Sequence, residues 1–365
     1  MPARISLCEI PEVAMKEIMN KVDFRSIHSL RRVCRSIRYF IDQHKSTIEI
    51  AKLCITIHPE HVCFLYSSDG RSMETVDYWD TNFGCLVTIN RKRKKIRNKN
   101  CFQTFMNDLE LIIRQMSCIT EELRVNVHSS SDDFFDLFKK ILKSKKSQLR
   151  VNRFSIFAKD QDQIVSILSS LYPVFLKTIR ICYHVGTQLE TEKLETLDQW
   201  KGAEELDIND THAITGNINN FTHFSYSKFR IQIISASDLN VLKEAFLKYA
   251  SFEYCFITYK DFNNAHEIPT FFGQPHHVDP NNTTVQRWSF KYPNSCKHNL
   301  LIVEMTKQND ESKLITFNPS GNFTNCQFVV NIRPEASVPE SLRRSSTFSK
   351  PIGREETKGE KARGI

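Results

Sequence analysis

Near the amino terminus, apolar residues recur at steps of three and four. Met15, Ile18, Met19 and Val22 form one face, and Ile27, Leu30, Cys34, Ile37 and Ile41 a second, the spacing of amphipathic helices. Pro11 suits a first helical turn, where its missing N–H costs nothing, and Asp23 is placed to cap the second helix. Arg25, Arg31, Arg32, Arg35 and Arg38 fill much of the remaining surface. A unit this small cannot bury its apolar side chains internally. Covering about ten of them, at roughly 1.5 to 3 kcal/mol each, would exceed an association cost of about 4 to 15 kcal/mol. Residues 1–45 are therefore expected to dock on a partner.

The period then changes to two. Ile48 and Ile50, Ile55 and Ile57, Val62 and Phe64, and Leu86 to Ile89 predict short strands and hairpins over 46–100, with a turn at Ser68-Asp69-Gly70. A helical face follows at Phe102, Phe105, Met106, Leu109, Ile112 and Ile113. Over 101–260 a strand-then-helix unit repeats, with strands expected to start at Leu123, Phe154, Ile179, Leu206, Phe229 and Phe252. Their spacing of roughly 23 to 31 residues is close to that of leucine-rich repeats. Helical faces lie at Phe134 to Leu142, Ile164 to Leu171 and Leu239 to Tyr249. Four more strands, at Arg287–Phe290, Leu300–Val303, Leu314–Phe317 and Phe328–Asn331, are expected to cap this array within 261–332. The tail 333–365 is rich in Ser, Pro, Lys and Glu and is expected to be disordered; Arg343-Arg344-Ser345-Ser346 within it could accept phosphate. The expected fold class is α+β: a small all-helical module, then an irregular leucine-rich-repeat-like βα solenoid with β-rich flanks.

Two resemblances sharpen this. Leu7-Cys8-Glu9-Ile10-Pro11, then Val13, Met15 and Ile18, the Val22-Asp23-Phe24-Arg25-Ser26-Ile27 junction, and Leu30-Arg31-Arg32-Val33-Cys34-Arg35-Ser36-Ile37-Arg38 resemble an F-box. Ile10 stands where leucine is common, and Tyr39-Phe40 lie near a frequent tryptophan. The resemblance implies docking on a Skp-type adaptor within a cullin-RING ubiquitin ligase, through Leu7, Ile10, Pro11, Val13, Met15, Ile18, Val22, Ile27, Leu30, Val33, Cys34 and Ile37. The segment over roughly 48–260, including Asn107-Asp108-Leu109-Glu110-Leu111, is similar to the FTH (DUF38-type) domain of the large nematode F-box family. That likeness implies a region binding a target protein and supplies no catalytic residues.

Composition narrows the chemistry. The chain has 365 residues, of which 40% are hydrophobic and 25% charged, ordinary globular usage. Only 10 are glycine, and none forms a phosphate-cradling loop. The 11 cysteines show no C-x-x-C pair and read as free thiols, and no apolar run suits a signal or a membrane span. A soluble protein of cytoplasm or nucleus is expected. Of the net charge of +8, a surplus of seven sits in Arg91, Lys92, Arg93, Lys94, Lys95, Arg97 and Lys99. This run reads first as a solvated linker or hairpin edge, then as an import signal, then as an RNA contact. Cys54, His58, His61 and Cys63 offer four zinc-type ligands, but without knuckle spacing, and strand alternation already explains which of them share a face. His276-His277, with His266 nearby, is expected in a loop. No catalytic residue, metal or cofactor is assigned. The leading expectation is a non-catalytic ubiquitin-ligase adaptor, and the alternative is an RNA-binding or nuclear scaffold using 91–99.

Overall fold

The structure is a computed structural model that describes residues 9–22, 26–27, 30–31, 33–43, 49–89, 92–128, 132–145, 147–159, 161–183, 188–209, 213–279, 282–293, 300–309 and 312–319. All of them belong to one compact unit, Met1–Gly321. Leu7, Arg91, the strand expected at Phe328–Asn331 and the tail 333–365 lie outside the described residues.

Near the amino terminus the described residues include helices α1 (Glu12–Lys21) and α2 (Arg35–Gln43). The single helix expected from Asp23 to Ile41 is divided. The Cys34 sulfur accepts from the Ile37 amide and starts α2 afresh, while Arg31 and Val33 close a separate turn on Ile27 and Leu30.

An antiparallel meander follows: β1 (Lys52–Ile57), β2 (His61–Ser67), β3 (Glu74–Thr81), β4 (Gly84–Ile89) and β5 (Lys92–Arg97). The basic run is therefore a strand. Helix α3 (Cys101–Gln115) packs on β2, β3 and β4. Its start is fixed by Asn100, whose side chain accepts from the Gln103 amide at 2.9 Å, the usual role of an N-cap asparagine.

The βα segment then builds a parallel ladder on the other side of β1. Its strands are β6 (Thr120–Val127), β7 (Val151–Ala158), β8 (Thr178–Tyr183), β9 (Leu189–Glu190), β10 (Glu205–Ile208), β11 (Ala213–Thr215), β12 (Tyr226–Ser235) and β13 (Tyr254–Asn263). In space the order is β1, β6, β7, β8, β10, β12, β13, all parallel, with β9 and β11 continuing the rows of β8 and β10. Helices α4 (Asp132–Ser144), α5 (Gln161–Leu168), α6 (Glu192–Glu195), α7 (Asp198–Gly202) and α8 (Ala236–Lys248) lie in the crossovers. Beyond β13, after the short α9 (Ile268–Phe272), come β14 (His277–Asp279), β15 (Asn282–Lys291), β16 (Leu300–Asn309) and β17 (Ser312–Pro319). They form an antiparallel wing joined to β13 through β17.

The result is one mixed sheet with a parallel centre and antiparallel flanks. In place of the expected leucine-rich-repeat-like solenoid, the βα segment forms the middle of this sheet: its first strand pairs with β1 and its last with β17, so strands from the flanks occupy both of its edges. His277, expected in a loop, lies in β14, while His266 sits in a short 3-10 turn, Ala265–Glu267.

The strands divide their residues by face. Leu53, Leu123, Phe154, Ile179, Leu206, Ser227, Cys255, Phe317, Val303 and Trp288 are aligned neighbours across ten strands, and every one is buried. The helices bury their apolar stripes on this side: Phe105 meets Phe64 and Tyr78, and Phe246 meets Phe317. Parallel strands covered on both faces read as unbroken apolar runs, whereas these alternate. The cause is topological. Strand order advances in one direction, and crossovers between parallel neighbours share one hand, so every helix lands on the same face. No helix among the described residues is long and apolar enough to cross a membrane.

Candidate functional site

Two surfaces offer themselves for binding. The first is the helical pair at the amino terminus, where the expected apolar seam is split by packing. Met15, Met19, Ile27, Ile37 and Ile41 are buried and join the same apolar cluster as the sheet. Ile10, Val22, Leu30 and Cys34 are half-buried against that cluster. Val13 and Val33 are 75% and 66% exposed, Ile18 is 37% exposed, and Pro11 and Tyr39 are also open to solvent. The residues that face outward are thus Pro11, Val13, Ile18 and Val33, while Met15, Ile27 and Ile37 hold the helices down.

A polar clamp reinforces this anchoring. Asp108 of α3, 6% exposed, accepts from the Tyr78 hydroxyl at 2.8 Å and from Arg31 at 3.4 Å. Arg31 also donates to Asp42 at 2.7 Å and 3.2 Å. One arginine therefore ties α2 to α3, and through Asp108 to Tyr78 of the sheet. A buried carboxylate is tolerated when such partners replace its water.

The second surface is the face of the sheet opposite the helices. Cys54, Arg124, Ser155, Arg180, Asp207, Lys228, Phe256, Thr316, Glu304 and Arg287 are aligned across it, strand by strand. Most of them are half-exposed, and charges of both signs predominate, with one aromatic ring, Phe256, among them. Arg124 pairs with Glu122 at 2.8 Å, Arg180 with Asp207 at 3.7 Å, and Arg287 with Glu304. The Lys228 ammonium lies 5.5 Å from the centre of the Phe256 ring. Rigid strands hold this mosaic in place, the arrangement that favours specific protein recognition over plain hydrophobic adhesion.

The F-box domain family matches residues 7–49, and the FTH domain family matches residues 132–276. The chain is an F-box and FTH-domain protein. No curated protein and no solved structure matches it.

In this F-box and FTH-domain protein, the first surface lies within the F-box, and half of the second, Ser155, Arg180, Asp207, Lys228 and Phe256, lies within the FTH domain. Between the two domains lie the meander and α3, which supply Tyr78 and Asp108 to the clamp. The basic residues lie there too: Lys92, Arg93, Lys94, Lys95 and Arg97 are exposed along β5, and Lys99 follows it. Among the described residues β5 pairs with β4 alone, so it is an edge strand, and a row of cations is a common guard on such an edge.

The same intervening meander gathers the histidines and cysteines that the sequence brings to notice. His58 stacks on His61 and on His128, with ring centres 4.7 Å apart in each pair, and His61 stacks on Trp79 at 4.3 Å. Cys63 lies directly opposite Asp77 in the β2–β3 register. Burial pushes the Asp77 carboxyl up to about 6 and lowers His61 from its usual value. The Cys63 thiol is pushed up to about 12, by burial first and then by Asp77 and Cys54. Asp77 carried no sequence signal. Only the register of β3 against β2 brings it beside Cys63.

Proposed function

We propose that this F-box and FTH-domain protein is a substrate-recognition adaptor of a cullin-RING (SCF-type) ubiquitin ligase. F-box proteins are generally non-catalytic adaptors of this kind. Residues 1–45 dock on a Skp-type adaptor, 46–100 connect, the βα array of 101–260 presents its helix-free face to a target protein, and 261–332 cap it. Ubiquitin transfer takes place on other subunits. This chain contributes effective concentration and orientation, which suit an F-box fixed to the sheet through Arg31 and Asp108.

The observation that carries the reading is the exposure of Val13, Ile18 and Val33 on a module whose other apolar residues are anchored. The test replaces Val13 and Val33 together by Asp in the full chain. Co-purification with the Skp-type adaptor is expected to disappear while the circular dichroism spectrum stays unchanged. Retained co-purification refutes the reading.

The exposed cations of β5 favour one second reading, an RNA-binding or nuclear scaffold. It requires affinity for RNA that falls steeply with salt. Replacing Lys92, Lys94 and Lys95 by Ser should then abolish retention on RNA, and unchanged retention removes this reading.

A further inference from the structure

We propose that His61, Cys63 and Asp77 form a binding site for one divalent transition-metal ion, zinc by the chemistry of its donors. His61 and Cys63 are two residues apart on β2, so they share a face, and Asp77 lies opposite Cys63 on β3. One imidazole nitrogen, the Cys63 sulfur and one carboxylate oxygen all lie within 4.8 Å of one another. Zinc bonds of about 2.0 to 2.3 Å place the ligand atoms of a tetrahedral site roughly 3.3 to 3.8 Å apart, a contraction within reach of side-chain rotation on a fixed hairpin.

The donor set selects the ion. Calcium and magnesium take hard oxygen ligands, whereas a thiolate with an imidazole suits zinc and its neighbours in the first transition row. Two further observations point the same way. The Asp77 side chain makes no hydrogen bond or ion pair among the described residues, although it is only half-exposed; carboxylates in such places normally have a partner. The His61 ring is already held, stacked between His58 and Trp79, so little freedom is lost on binding. Binding releases the Cys63 proton to solvent, along with any proton on Asp77 or on the ligating nitrogen of His61. Three protein ligands leave a fourth position for water or a donor from a bound protein.

The experiment strips the full chain with a chelator and titrates it with cobalt(II), whose tetrahedral thiolate complexes absorb strongly in the near ultraviolet. One equivalent of cobalt is expected to raise that absorption, and one equivalent of zinc to abolish it. Cys63→Ser should eliminate the band, and Asp77→Asn should weaken binding by about tenfold or more, each with an unchanged circular dichroism spectrum. Cys118→Ser, an exposed thiol elsewhere, should change nothing. Should Cys63→Ser fail to fold, Asp77→Asn and His61→Gln decide the matter alone. A band that persists at full strength in Cys63→Ser, or affinity unaltered in both Asp77→Asn and His61→Gln, overturns the site.

Discussion

Replacing Asp108 by Ala removes the centre of the clamp between the F-box and the sheet. The Tyr78 hydroxyl loses its acceptor at 2.8 Å, and Arg31 keeps its contact with Asp42 but loses the inner carboxylate. A hydrogen bond to a charged group contributes about 1.5 to 3 kcal/mol. Removing one member of a well-buried ion pair costs about 3 to 5 kcal/mol, but the contact here is long at 3.4 Å and the Arg31 side chain is 20% exposed, so its share falls nearer to that of a surface pair, about 1 kcal/mol or less. The sum for Asp108→Ala is about 2 to 4 kcal/mol. Asp108→Asn retains an acceptor for Tyr78 and should cost about half as much. Urea denaturation measures the total, and hydrogen exchange reads where it falls: residues 9–43 should lose protection before the parallel strands do. A loss under about 0.5 kcal/mol, the level of an ordinary surface change, would refute the clamp. Loss spread evenly over the sheet would refute its role in anchoring the F-box.

Further outcomes follow from other positions. Gly84 has φ +127°, and a Cβ there would lie 2.3 Å from the Ile96 carbonyl oxygen. Gly84→Ala should destabilise by more than about 1 kcal/mol, with exchange protection lost first in β4 and β5. His223 is held below its usual value of 6.5 by burial, although its hydrogen bond to the Trp200 carbonyl opposes this. The unfolded chain therefore binds more protons in the window just below 6.5, so stability is complete above that pH and is lost as pH falls toward the depressed value. His58 and His61 slope the same way, and His223→Gln should reduce the acid-side slope of stability without abolishing it. An unchanged slope would exclude His223 as a contributor.

Alternation made the parallel centre legible in the sequence. Leu123, Val125 and Val127 of β6 and Phe154 and Ile156 of β7 lie on the buried face, as their period of two requires. The three helical faces expected after β6, β7 and β12 are present as α4, α5 and α8. The basic run was harder to place, because its charges mask a strand whose backbone pairing with β4 is regular. Nor could local pattern show which half of the F-box seam faces outward. Ile18 and Met19 are neighbours on the one apolar face that the spacing predicts, and only the position of the sheet beneath them separates 37% from 3% exposure. Asp77 and Asp108 were illegible for the same reason: a carboxylate on a strand or helix shows its neighbours only after long-range register is set.

The closure of the β13 edge by β17 bears on how the protein is made. A ribosome delivers the parallel array first, and its outer strand must wait for Ser312–Pro319 before its backbone groups find partners. Pairings so distant in sequence form slowly, and an unpaired strand invites association with other chains. A nascent or truncated polypeptide ending ahead of residue 312 would emerge with a sticky flank, so the β16–β17 hairpin serves as the latch that makes the whole sheet safe to release.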